Sequence, residues 1–418
     1  MQPSTASFVG DGAHRRRSLD IIRGIAVFGL IWVNLASRGL ALTPVDGVAS
    51  WVLTVFGSNK FVAQFSILFG ITLAMQLERA DSRGERIGWL WARRMAALWA
   101  IGWANLILFW PDDVLNLYAV AGAVLLVFYK TSNRMVLVAA VLTFALVLNN
   151  ESLNKVAARV VRGDVATVVA NERPSSEIQH RRQADNQAMQ DGSYLDNVRT
   201  RAALYPALFV SRFAFLPVGP LNVIHRVFLS LFLLGLYLGR RRILQDVDEH
   251  RSFVRGMAWI GFAVGLPLSI LTAAAPVWAQ HPMPGTGATY ASLISNLGKV
   301  ILAVGYLGGL SLLLWRQTWR TRLAWLAPVG RMGLTSYIVQ GIFINALLRG
   351  YGFGWDGRSG TLVNTVAAVS FFLLQVLFSN WWLARFRFGP VEWLWRSGTQ
   401  WRLLPMRLDV QRVAAVAG

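Results

Sequence analysis

Arg15-Arg16-Arg17-Ser18-Leu19-Asp20-Ile21-Ile22-Arg23-Gly24-Ile25-Ala26-Val27-Phe28-Gly29-Leu30-Ile31-Trp32-Val33-Asn34 joins a basic cluster to a long apolar run. A helix rises about 1.5 Å per residue, so Ile21 to Ala36 crosses most of a hydrocarbon core about 30 Å thick. The polar residues it carries then lie at fixed depths, with Asp20 and Arg23 at its entrance and Asn34 roughly 16 Å further along the axis. The stretch therefore reads as a membrane helix with chemistry at its mouth. It also resembles the start of a signal peptide, but its apolar part is long for one and no clear Ala-x-Ala site closes it, so a retained first span is expected.

The remainder of the chain repeats the pattern. Of 418 residues, 55% are hydrophobic and only 15% charged, which describes an all-α polytopic membrane protein rather than a soluble domain. The formal charge of +20 is spread in short clusters between apolar runs. Such clusters mark topology, and nucleic acid is not expected as a partner. There is no cysteine, which excludes disulfides, thiolate nucleophiles and cysteine metal sites. No P-loop, dinucleotide fingerprint, His-Glu-x-x-His or Gly-x-Ser-x-Gly occurs, and no metal site is expected.

About ten apolar stretches approach spanning length: 20–37, 52–77, 95–110, 114–129, 134–149, 223–239, 256–276, 291–315, 326–348 and 361–383. Connections rich in arginine alternate with poor ones. Arg93 and Arg94 fall on one side with Arg15–Arg17, Arg240–Arg242 and the C-terminal arginines, whereas Pro111-Asp112-Asp113 and 277–290 carry no Lys or Arg. The positive-inside rule then places both termini in the cytoplasm of an inner-membrane, multi-pass protein. This divides the chain into an N-terminal bundle of about five spans (1–149), a polar extracytoplasmic segment (150–206), and a C-terminal membrane domain (207–418) with a basic tail.

Polar residues at membrane depth or at span ends carry the candidate chemistry. Asp20 and Arg23 are three apart and share a helical face, so they either anchor the helix as an ion pair or leave Arg23 to hold a phosphate. Asn34 and Asn105 sit inside spans, where Asn commonly bonds a neighbouring helix. Asp112 and Asp113 share a turn before Tyr118; adjacent carboxylates raise one another's pKa, as a general base requires, and Asp also caps helices. His225 opens the sixth stretch on the outer side and is the second candidate for proton transfer. Lys299, beside Asn296, is an intramembrane charge and hence a functional hypothesis. Arg331 precedes the ninth span; Glu392 and Arg396, four apart beside Trp393 and Trp395, form either an interfacial anchor or the wall of a donor site.

Five blocks in order, namely the opening stretch, Phe65-Ser66-Ile67-Leu68-Phe69-Gly70, Asp113-Val114-Leu115 with Tyr118, Gly330-Arg331-Met332-Gly333-Leu334-Thr335-Ser336-Tyr337, and Gly389-Pro390-Val391-Glu392-Trp393-Leu394-Trp395-Arg396, resemble the YeiB-like family of bacterial inner-membrane proteins, whose C-terminal half is a domain of unknown function. The family is in turn remotely similar to transmembrane acyltransferases of the acyltransferase-3 and heparan-glucosaminide acetyltransferase groups. That likeness implies transfer of an acyl group from cytoplasmic acyl-coenzyme A to a lipid or glycan acceptor across the bilayer. It sets Arg23 and Asn34 where acyltransferase-3 proteins carry Arg and His, and Asn105 where YeiB-like members carry His. Arg23, Arg93, Arg94 and Arg331 would hold the donor phosphates, Asp113 or His225 would act as base, and Asn34, Asn105, Tyr118, Lys299, Glu392 and Arg396 would contact substrate. A transporter or lipid-handling protein with Lys299, Asn34 and Asn105 along a path is the competing expectation. Assembly with further copies of the chain is compatible with either.

Overall fold

The computed structural model describes residues 5–84, 87–148, 176–213, 223–279 and 287–408. Among them the chain is helical without strands, apart from two isolated bridges, Leu40 to Gly360 and Phe386 to Arg407. Within the described residues the ten apolar stretches read from the sequence fall largely on helices, with 52–77 broken at Ser58–Asn59 between the π-helical turn Leu53–Gly57 and the helix Lys60–Asp81. Among the described residues five segments are long and apolar enough to cross a membrane, and four further apolar helices are shorter.

The opening stretch forms α1 (Thr5–Ala36), and its position explains the rest. Ile21, Val27, Ile31 and Leu35 have no exposed surface, because α1 packs against α3 (Lys60–Asp81), α11 (Gly287–Trp315), α13 (Ala327–Arg331), α14 (Gly333–Leu348) and α15 (Thr361–Leu383). Surrounding it are α2 (Pro44–Val52), α4 (Ile87–Ala104), α5 (Leu115–Val124), α6 (Asn133–Leu148), α9 (Val223–Arg240), α10 (Arg251–Ala279), α12 (Gln317–Arg322) and α16 (Pro390–Gln400). Two further helices, α7 (Ser176–Asp191) and α8 (Tyr194–Phe213), form a polar hairpin.

Small residues set the closest crossings, as in other membrane bundles, where lipid removes the usual hydrophobic drive between helices. Gly70 of α3 faces Gly235 of α9 backbone to backbone, and Gly261 of α10 faces Gly305 of α11. Gly330 of α13 lies against the Asp20 carbonyl and the Gly24 nitrogen of α1, leaving no room for a side chain. α10 packs chiefly on α11 and turns Trp259, Ile260 and Leu271 outward, as a lipid-facing helix does.

Two helix starts are capped by carboxylates from distant parts of the chain. Thr43 and Asp46 form a capping box on α2, and the second oxygen of Asp46 accepts the Leu362 N–H of α15 at 2.9 Å. Glu392 does the same for α14. Each joins segments more than fifty positions apart.

Candidate functional site

Among the described residues a cavity of about 190 Å³ opens inside the bundle. Its polar rim is Arg23 of α1, Arg94 of α4, Arg331 of α13 and Arg396 of α16, with Glu392 alongside. Its interior is apolar: Leu30, Phe65, Leu68, Phe69, Trp91 and Leu98. Tyr118 and Tyr337 also line it. Four cations around an apolar chamber suit an amphiphile with an anionic head.

The rim arginines come from four different helices. Arg23 donates to Asp20 at 2.7 Å and to the Thr72 hydroxyl at 2.7 Å, so the ion pair expected from their spacing forms while the side chain still lines the cavity. Arg94 lies flat on Trp395, 3.8 Å from the ring centroid, and the Trp395 indole N–H donates to the Arg94 carbonyl at 2.8 Å. Arg331 is placed by the Gly330 crossing. Arg396 lies over Phe388 at 4.7 Å.

Glu392 is structural as well as lining. Its Oε1 accepts the N–H groups of Leu334 (2.7 Å) and Thr335 (2.9 Å), and its Oε2 accepts the Thr335 hydroxyl. The Thr335 oxygen in turn accepts the Val391 N–H at 3.0 Å, so α14 and α16 cap each other. Burial outweighs these hydrogen bonds and holds the Glu392 carboxyl above its ordinary range.

Tyr118 shares a 2.6 Å hydrogen bond with Ser66, and its ring is boxed by Phe69, Phe228 and Phe232. Asp113 does not line the cavity. It lies behind Tyr337 in the connection before α5, with Oδ1 accepting from Asn105 (2.9 Å) and Oδ2 from the Leu115 N–H (3.1 Å). Asp113 thus bonds the first N–H of α5 and also the Tyr337 hydroxyl. That hydroxyl itself accepts the Val114 N–H at 3.3 Å. Burial shifts the Asp113 carboxyl upward, against the hydrogen bonds it accepts.

Of the residues singled out from sequence, Arg23, Arg94, Arg331, Tyr118, Glu392 and Arg396 converge on this cavity. Asn105 and Asp113 stand one contact behind it. Arg93 turns away, its guanidinium over Trp89 (4.9 Å) and Trp401 (5.9 Å). Asn34 is half-buried on α1 outside the cavity lining, and Lys299 faces Lys60 on α3, also apart from it. His225 lies in the first turn of α9, and its side chain is outside the described residues. Sequence reasoning missed Tyr337, although it closes the Thr335-Ser336-Tyr337 block; no spacing rule links it to Asp113, 224 positions earlier. Among the described residues no group of three or more His, Cys, Asp or Glu could hold a metal.

A family model described as "Protein of unknown function (DUF418)" matches residues 238–402, which include the Gly330–Tyr337 and Gly389–Arg396 blocks of the cavity rim. The uncharacterized protein YxaH of Bacillus subtilis (strain 168) is 28% identical over 403 residues, 91% of this chain and 93% of that protein. The uncharacterized protein YeiB of Escherichia coli (strain K12) is 26% identical over 400 residues, 92% of this chain and 96% of that protein. The matched domain and these relatives together support a likeness to the YeiB-like family. These relatives extend over nearly the whole chain, and their names carry no reaction. No solved structure matches the chain.

Proposed function

We propose that this YeiB-like protein is an inner-membrane acyltransferase of about ten spans with both termini in the cytoplasm and 150–206 on the outer side. Acyl-coenzyme A is the donor and a lipid or glycan hydroxyl or amine the acceptor. The observation that carries this reading is the cavity itself, which brings together four arginines, apolar walls, and Tyr118 and Tyr337, the latter backed by Asp113.

In this reading the arginines bind the donor's phosphates, Arg23 and Arg331 side by side because Gly330 crosses α1 next to Arg23. The pantetheine arm runs along Leu30, Phe65 and Leu98 and brings the thioester to the tyrosines. The acceptor oxygen or nitrogen attacks the thioester carbonyl as its proton passes to the Tyr337 oxygen and the Tyr337 proton to Asp113; the new acyl bond forms, the C–S bond breaks, and the coenzyme A thiolate leaves and takes the proton back from Asp113 through Tyr337. Tyr337 replaces the imidazole that Asn34 and Asn105 lack, and Asp113 acts through it. His225 is the alternative base.

Because the chain has no cysteine, a thiol reagent reads only coenzyme A released on transfer. Purified protein with acetyl-coenzyme A and bacterial membrane extract should release thiol, and Tyr337→Phe should slow it at least tenfold. No release, or release indifferent to Tyr337, rejects the reading. A lipid-handling protein could use the same amphipathic chamber and is the second reading; Lys299 and Asn34 lie outside the chamber and lend a path through them no support.

A further inference from the structure

At the end of the bundle opposite Arg23, two guanidiniums are buried together. Arg201 of α8 has no exposed surface, and Arg349, just past α14, is 7% exposed. The α7–α8 hairpin brings them together. Gly350 donates its N–H to the Met189 carbonyl at 3.4 Å and abuts the Gln190 backbone so closely that a Cβ would overlap it. The Tyr194 and Tyr351 rings meet edge to face at 5.6 Å, and Arg201 bonds the Tyr351 side chain. Asn345 fixes Arg349 through its Nε at 3.1 Å, and Asn197 takes Nη2 of Arg201 at 3.3 Å.

The Nε and Nη1 groups of Arg201 have no acceptor among the described residues. The carboxylate facing both arginines is Asp185, 2% exposed and bonded by the Thr200 hydroxyl at 3.0 Å. No ion pair joins it to either arginine among the described residues. At the rim Arg38 is occupied by Asp112, and Asp356 faces Arg349. Inside, then, stand two guanidiniums, one carboxylate at a distance, and donors with nothing to bond. Buried donors and buried charge are ordinarily satisfied, and a pair of guanidinium forks is the donor set that grips an oxyanion.

We propose that Arg201 and Arg349, with the Tyr351 hydroxyl, form a binding site for a phosphate group under the α7–α8 hairpin, on the face opposite the arginine-rimmed cavity. The phosphate belongs either to a soluble molecule or to a lipid headgroup. It would accept the free Arg201 N–H groups and remove the repulsion between the two cations. The site stands whether or not the cavity carries out acyl transfer.

Delipidated full-length protein in nonionic detergent is titrated with inorganic phosphate and, separately, with short-chain phosphatidylglycerol, against chloride at equal ionic strength, following the melting temperature. A saturable rise with either ligand is expected, lost in Arg201→Met and in Arg349→Gln. A rise with phosphate assigns a soluble ligand, and a rise with the lipid alone assigns a headgroup. No saturable rise with either, or a rise that Arg349→Gln retains, overturns the proposal. Arg349→Gln carries the comparison by itself should Arg201→Met fail to fold.

Discussion

Glu392 and Thr335 cap each other's helices: the carboxylate accepts the first-turn N–H groups of α14, and the threonine oxygen accepts the Val391 N–H at the start of α16. Both helix starts therefore depend on one buried contact, and with them the seats of Arg331 and Arg396 on the cavity rim. Thr335→Val removes the hydroxyl from both caps while keeping the shape. It should cost about 1–3 kcal/mol, the range for leaving a buried partner unsatisfied, measured as a fall in melting temperature. An unchanged melting temperature would show that the mutual cap is dispensable.

The same contact gives a pH signature. Glu392 is held above its ordinary carboxyl pKa of 4.5 by burial, so the folded state binds more protons than the unfolded one between those two values. Stability should accordingly fall as pH rises through that window, by up to about 1.4 kcal/mol per pH unit from this group, and level off above it. Glu392→Gln keeps the acceptor for Leu334 and Thr335 and has nothing to titrate. Melting curves from pH 4 upward should be flatter for the variant; parallel curves would contradict the assignment.

Gly330→Ala tests the crossing that sets Arg331 beside Arg23. A Cβ at Gly330 would overlap the Asp20 carbonyl, so α13 must move away from α1, at a cost of about 1–3 kcal/mol. Gly88→Ala, on α4 with nothing nearby, should be neutral or slightly stabilising. Equal effects of the two substitutions would refute the close-crossing account.

Much of this was legible in the sequence and some was not. Hydropathy and length marked every apolar helix, because a spanning helix must satisfy its own backbone and so announces itself as a long apolar run. Arg23, Arg94, Arg331 and Arg396, which line the cavity, were each singled out from sequence, whereas Arg93, grouped with them there, stacks on Trp89 and Trp401 instead. The pairing of Asp113 with Tyr337 was not, because contacts between helices far apart in the chain leave no periodic trace. Asp113 also shows the limit of residue-type reasoning: a carboxylate suited to a base and one suited to a cap look alike, and in this fold one residue makes both sets of contacts. Lys299 looked functional by its depth alone, yet it faces Lys60, which gives its amine to the Thr54 carbonyl at 2.8 Å beside the π-helical turn Leu53–Gly57.

Tyr118→Phe and Tyr337→Phe separate packing from proton transfer. Both rings stay in place, so each loss is one hydroxyl, about 1 kcal/mol of stability. Tyr337→Phe breaks the link to Asp113 and should lower kcat of thiol release with little change in KM, whereas Tyr118→Phe, bonded to Ser66, should spare kcat. A matching loss of kcat in both variants would remove the special role of Tyr337.

The most direct test of the central claim is equilibrium binding of acyl-coenzyme A to purified protein, compared between the wild-type chain and Arg331→Ala with Arg396→Ala combined. Saturable binding that weakens at least tenfold per lost phosphate contact, or about 1.4 kcal/mol each, is the expected result. Absence of binding, or an affinity unchanged in the double variant, would contradict a donor site at the arginine-rimmed mouth of the cavity.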